Sequence, residues 1–291
     1  MLNITNVGAF TGGDAFLIES PDGKNAIVDA GYACGAAITV EKIRKALNGR
    51  PLDYILLTHS HYDHTSASPA LAEAWPGAQI VASEYAAYVF TRPGARREMR
   101  RLNESAAEQW EVAPNGELID RLHVDRTVAD GDVLDLGSYT LRVLAAPGHT
   151  RDTIGFWSEE EKLLIGNETY GTFSGCGHVM PAYLVGYQMT IDSIDRAAAL
   201  GARTIIIPHW GVITGETCDG FFAEARHYAE STRNLIVNGW REGLSRAQLV
   251  DRYRSEYYVG CQMLYQPEPA FMTNANHIVN MILRECCGVT E

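Results

Sequence analysis

The run Thr58-His59-Ser60-His61-Tyr62-Asp63-His64 places three imidazoles and a carboxylate in an H-x-H-x-D-H order. In 291 residues with nine histidines, such a run arises by chance in about four of ten thousand sequences of this composition, so it reads as a motif. Neutral imidazole and carboxylate are donors for Zn²⁺, and also for Fe or Mn. The run follows the apolar stretch Tyr54-Ile55-Leu56-Leu57, which reads as a buried strand. Alternation along extended backbone lets His59 and His61 share one metal. A turn after His61 then lets Asp63 and His64 face a second position. A solvated polar loop at a strand end is the competing reading.

Two metals need more donors, and other strand ends offer them. Ala146-Pro147-Gly148-His149 follows the apolar run Leu141 to Ala145, and Ile207-Pro208-His209-Trp210-Gly211 repeats the arrangement. Leu163-Leu164-Ile165 leads to Gly166-Asn167-Glu168-Thr169 and supplies a carboxylate.

From Leu2 to Thr214, with the H-x-H-x-D-H run as its most specific element, the chain resembles the metallo-β-lactamase-fold hydrolases. The resemblance implies an α/β fold, a four-layered αβ/βα sandwich, with two divalent metal ions at the edge between two half-sheets. Zinc is the first choice, with iron or manganese as alternatives. His59, His61 and His149 would hold one ion; Asp63, His64 and His209 would hold the other. Asp29, in Val28-Asp29-Ala30-Gly31, would support the ligands from behind, and it also suits a turn cap. Where the family has a bridging Asp after Gly, this chain reads Asn167 then Glu168. Glu168 is the expected bridge, because an amide would leave the buried cluster one charge more positive at a cost of several kcal/mol.

The chemistry implied is hydrolysis of a small ester-like molecule, a thioester or lactone. A hydroxide shared by the metals would attack a carbonyl, with Asp63 as the catalytic carboxylate that orients it. An arginine-bearing insertion, the Pro-His-x-Gly ligand and a helical C-terminal segment resemble a subset with quorum-signalling thioesterases, lactonases and organophosphate hydrolases. Two alternatives stay open: an iron-dependent oxidoreductase such as a persulfide dioxygenase, and a regulatory protein with a structural metal site. His178, in the glycine-rich stretch Gly171 to His178, and Tyr170 are candidate substrate contacts, with Cys176 and Tyr183 behind them.

These donors need a scaffold of strands and helices. The spacing predicts a helix over Ala36 to Leu47, one through Leu71 to Trp75, and strands at Gln79 to Ala82, Asp132 to Leu136, Leu141 to Ala145 and Thr153 to Trp157. Asp14 to Glu19 and Asn25 to Asp29 read as a hairpin around Pro21-Asp22-Gly23. Residues 83–125 read as a helical insertion whose arginines, Arg96 to Arg101, form a solvated face or attract an anion. Helices follow at Tyr187 to Leu200, Phe221 to Trp240, Ser245 to Tyr257 and Pro269 to Cys286, with Thr204 to Ile207 as the last strand. The expected division is a catalytic domain at 1–215 and a helical extension at 216–291. The extension's apolar residues, among them Ile236, Phe271 and Met281, either pack or form a lid that selects an acyl or aromatic group.

Twenty-four basic against thirty-six acidic residues give a net charge of −12, which disfavours nucleic acid as a substrate. A small-molecule substrate is expected, without membrane partners, and a homodimer is compatible with the chain. No run of eighteen apolar residues and no secretory signal is seen, so the expected location is cytoplasmic. The six cysteines form no C-x-x-C pair and read as idle thiols.

Overall fold

The apolar triplets Ala26–Val28 (β3) and Tyr54–Leu56 (β4) are buried throughout, the pattern of parallel strands covered on both faces. They pair in parallel, with Val28 opposite Leu56. The structure is a computed structural model that describes residues 2–13, 15–21, 23–173, 178–260 and 268–290. The chain divides into two compact units, Met1–Ala145 with Ile154–Glu161, and Ala146–Thr153 with Lys162–Glu291.

In the first unit, Asn3–Asn6 (β1), Phe16–Glu19 (β2), β3, β4, Gln79–Ser83 (β5) and Arg126–Val128 (β6) form one sheet in chain order. β1 to β3 pair antiparallel, and β3 to β6 pair parallel. Val133–Asp135 (β7), Thr140–Ala145 (β8) and Ile154–Ser158 (β9) form an antiparallel ladder. Helix α1, Ala36–Leu47, buries Ala36, Thr39, Ile43 and Leu47, and ends at Asn48 in the left-handed region with φ 48°. Tyr62–Thr65 (α2) and Ser68–Ala74 (α3) follow β4.

The expected insertion is helical: Glu84–Thr91 (α4), Pro93–Gln109 (α5) and Glu117–Asp120 (α6). Arg96 departs from the expected solvated face, because its guanidinium donates to the carbonyls of Phe90, Asp120 and Leu122 at 2.5, 3.0 and 3.1 Å. It ties α4, α5 and α6 together. Buried Asn103 accepts from the Cys34 N–H at 3.1 Å and donates to the Pro114 carbonyl at 2.6 Å, which fastens α5 beside the Ala33–Gly35 turn.

In the second unit, Leu163–Ile165 (β10) pairs parallel with Thr204–Ile207 (β13), which pairs antiparallel with Gly211–Thr214 (β14). Thr172–Phe173 (β11) and Val179–Met180 (β12) make a two-stranded ladder. Tyr187–Ala198 (α7), Gly215–Arg241 (α8), Arg246–Tyr257 (α9) and Glu268–Cys287 (α10) complete the unit.

Two expectations need correction. β13 is not the last strand, because β14 returns along it in a run too short and glycine-flanked to stand out in sequence. Helix α8 begins six residues before Phe221, across weak helix formers such as Gly215, Asp219 and Gly220; burial of Cys218 and Phe221 outweighs their propensity. The C-terminal residues considered for a lid are packing residues in most cases, since Ile236, Val237, Phe271, Ile278, Met281 and Ile282 are all buried.

Cys34 and Cys218 are buried thiols, and burial pushes Cys34 up to about 11. Asp14, Asp22, Cys176 and Cys261 lie outside the described residues, as does Ser174 to Gly177 of the glycine-rich stretch. Among the described residues no helix is long and apolar enough to cross a membrane.

Candidate metal centre

In the first unit the donors sit where β4 ends. The Asp29 N–H donates to the Leu56 carbonyl, and Ala30 N–H donates to the carbonyl of His64, so the end of β3 and helix α2 are tied together. His61 is extended, and its carbonyl accepts from the Thr65 N–H and hydroxyl, which starts α2 and turns Asp63 and His64 out of the strand line. The His59 ring lies 4.6 Å from that of His61 and 4.2 Å from that of His64. Asp63 Oδ2 is 3.9 Å from His64 Nε2. His59 and His64 are buried, whereas His61 and Asp63 are half-buried.

One carboxylate organises this set. Asp29 accepts from the Thr58 N–H at 2.8 Å and from the Thr58 hydroxyl at 2.9 Å, and its Oδ2 lies 2.8 Å from His64 Nδ1. With the Thr58 hydroxyl hydrogen committed to Asp29, the contact of 3.0 Å between Thr58 Oγ1 and His59 Nδ1 assigns a hydrogen to that ring nitrogen. Both rings are therefore assigned as Nδ1–H tautomers, whose Nε2 carries the lone pair a metal needs. In sequence Thr58 carries no signal beyond its place immediately before the motif.

In the second unit, three separate turns bring donors together. Glu168 Oε2 is 2.9 Å from His149 Nε2, and Glu168 Oε1 is 3.2 Å from His209 Nε2. His149 Nδ1 bonds the Ala182 carbonyl, leaving Nε2 directed at Glu168. The Thr169 hydroxyl accepts from the His149 N–H at 3.0 Å and donates to the Ala146 carbonyl at 2.6 Å. His209 stands in the β13–β14 turn with φ 61°, in the left-handed region. Burial works to raise the Glu168 pKa, but the His149 and His209 imidazoles outweigh it and hold the carboxyl well below its usual range.

Asn167 has a different task. Its Oδ1 accepts from the Thr169 N–H at 3.0 Å and caps the turn Glu168–Tyr170. Gly166 is needed for close approach: a Cβ there would come 2.8 Å from the Ile206 carbonyl oxygen on β13. Tyr170 is buried with its ring 5.6 Å from Phe222, and exposed His178 bonds the Tyr228 hydroxyl through Nδ1.

Gly148 sets the His149 turn. Its φ is +150°, and a Cβ would meet Thr190 Oγ1 at 2.2 Å and Thr169 Cγ2 at 2.6 Å. Gly148→Ala is expected to cost about 2–4 kcal/mol, combining overpacking with a backbone that L-residues rarely adopt. Gly201→Ala, with φ +63° and open space around the new Cβ, should cost only about 1 kcal/mol. Urea denaturation checks the pair, and equal losses would refute the steric argument.

A His-rich set with carboxylates suits borderline divalent metals rather than Mg²⁺ or Ca²⁺. The family model described as the metallo-beta-lactamase superfamily matches residues 8–209. A metallo-beta-lactamase fold-containing protein of Sulfurisphaera tokodaii is 26% identical over 204 residues, covering 68% of this chain and 76% of that protein. A hydroxyacylglutathione hydrolase of a Methylobacterium strain is 29% identical over 196 residues, covering 66% of this chain and 63% of the enzyme. The match thus spans less than two thirds of that relative. Among solved structures, a metallo-beta-lactamase family protein from Thermus thermophilus superposes with a TM-score of 0.68 at 22% identity. That superposition covers 99% of this chain and 94% of the other. With the family model spanning most of the chain and a shared fold beside it, the chain belongs to the metallo-beta-lactamase superfamily.

Proposed function

We propose that the chain is a dinuclear metal-dependent hydrolase of a small acyl thioester or lactone. In this reading, which follows from the family, His59, His61 and His149 would hold one ion and Asp63, His64 and His209 the other. Glu168 would serve both ions, and zinc is the metal first expected. The observation that carries the reading is the anchoring of His59, His64 and His149 through Nδ1, which turns the Nε2 edge of each ring away from its anchor. When bound, such ions supply Lewis acidity, bringing the pKa of water towards about 7 and polarising a carbonyl oxygen.

The protein's own groups do the remaining work. Asp63, half-buried next to His64, orients the attacking water through its carboxylate. Asp29 keeps two imidazoles in the donor tautomer, and the buried setting of His59, His64 and His149 limits competing solvent. The identity of the bond rests on the relatives that are hydroxyacylglutathione hydrolases, which favour a thioester. We assign the catalytic role to residues 1–215 and a supporting one to 216–291.

The test is chelation and restoration. Protein stripped of metal should lose turnover of simple acyl thioesters and lactones, and two equivalents of zinc per chain should restore it. Undiminished hydrolysis by metal-free protein would overturn the proposal. Oxygen uptake restored by iron would favour the oxidoreductase class instead.

A further inference from the structure

The contact that fixes His149 comes from a stretch with no regular structure of its own. Between β12 and α7, Ala182 offers its carbonyl to His149 Nδ1, and the N–H groups of Leu184 and Val185 both donate to the Gly148 carbonyl at 3.0 Å. Residues 182–185 thus grip the His149 turn at the ring and at the preceding peptide. Such a grip is only as firm as the anchoring of the stretch itself.

Two buried phenols supply that anchoring. Tyr183 Oη donates to the Ala229 carbonyl on α8 at 3.0 Å, and Tyr253 Oη, from α9, donates to the Pro181 carbonyl at 3.3 Å. Burial pushes both phenols upward, so each stays an O–H donor across the physiological range. The Tyr253 ring is held in turn by Phe271 of α10, at 5.5 Å between centroids, and by Tyr257 at 4.8 Å. The Thr232 hydroxyl of α8 donates to Tyr257 Oη at 2.5 Å, which locks α8 to α9. Helices α8 and α9 thus hold the residues flanking Ala182 directly, and α10 braces the Tyr253 ring.

We propose that Tyr253 and Tyr183 are positioning residues through which the C-terminal helices fix the aim and tautomer of His149, and with them the affinity of one metal position. The inference rests on the reading of His149 as a ligand. It gives the C-terminal helices a function that packing alone does not require, because buried phenols could have met their hydrogen-bonding needs at any carbonyl. These two meet it at Pro181, directly before the carbonyl that holds His149, and from Tyr183, directly after it.

Tyr253→Phe and Tyr183→Phe remove only the hydroxyls and keep the rings. In the full-length protein, zinc competition against a chromophoric chelator should resolve two dissociation constants. Each variant should weaken one of them about three- to tenfold, at most the lower end of the loss seen when a direct partner of a ligating histidine is removed, and leave the other unchanged. The visible spectrum of the cobalt-loaded protein should change with it, whereas the melting temperature of the metal-free protein should fall by only about 2–4 °C. A purely structural role would lower the melting temperature without singling out one metal, and that result, or two unchanged constants, would overturn the proposal. Wild-type protein that takes up no zinc would instead remove the underlying reading of a metal centre.

Discussion

Glu168→Ala should leave the protein with at most one metal ion per chain and lower kcat/KM by more than about a hundredfold, while Asn167→Ala should keep both ions. The carboxylate lies between imidazoles from two distant turns, 2.9 Å from His149 Nε2 and 3.2 Å from His209 Nε2. Its charge persists although burial opposes it. Removing one partner of a buried ionic pair costs about 3–5 kcal/mol, and 1.4 kcal/mol corresponds to a factor of ten. The Asn167 amide, by contrast, is spent on a cap, so its loss should cost about 1 kcal/mol of stability. Elemental analysis of the purified variants decides the matter. An Asn167→Ala protein missing an ion beside a Glu168→Ala protein holding two would reverse the assignment.

Asp29 should prove nearly as important, although it stands behind the candidate ligands. It accepts from the Thr58 amide and hydroxyl and faces His64 Nδ1, so one side chain sets two imidazoles, His64 directly and His59 through Thr58. Its φ of 57° lies in the left-handed region, which Asp and Asn tolerate better than Ala. Asp29→Asn keeps that backbone but presents an amide NH₂ where an acceptor is required, so metal affinity should fall about 10–100-fold with a modest change in stability. Asp29→Ala should show the same loss of affinity together with about 3 kcal/mol or more of destabilisation, from buried donors left without an acceptor and from backbone strain. Zinc titration and denaturant melts on both variants separate the two effects. Wild-type affinity in Asp29→Asn would mean that the carboxylate does not control the tautomers.

The strand ends were legible because each announces itself locally. An apolar run followed by a polar turn needs no partner to be recognised, which is why β4, β10 and β13 were placed from sequence, and with them the turns bearing His59, Glu168 and His209. What was not legible depends on residues far apart in the chain. Ala182 acts through a carbonyl, which every residue has, and Tyr253 reaches Pro181 across 72 positions. Arg96 looked like surface charge because nothing in its helix shows that three carbonyls from other segments converge on it. β14 leaves no local signal because its four residues owe their extended form to pairing with β13 rather than to propensity.

His209 occupies a backbone region that a glycine would adopt without steric cost and a histidine adopts at about 1–2 kcal/mol. The turn between β13 and β14 therefore holds a standing conflict between durability and chemistry at a single position. Selection for heat resistance alone would drift towards glycine there and silently discard a donor, with the fold intact. Retention of the imidazole against that gradient is what a lineage using the site would have to enforce. In a set of descendants, the residue at this position would report whether chemistry or mere persistence was being preserved.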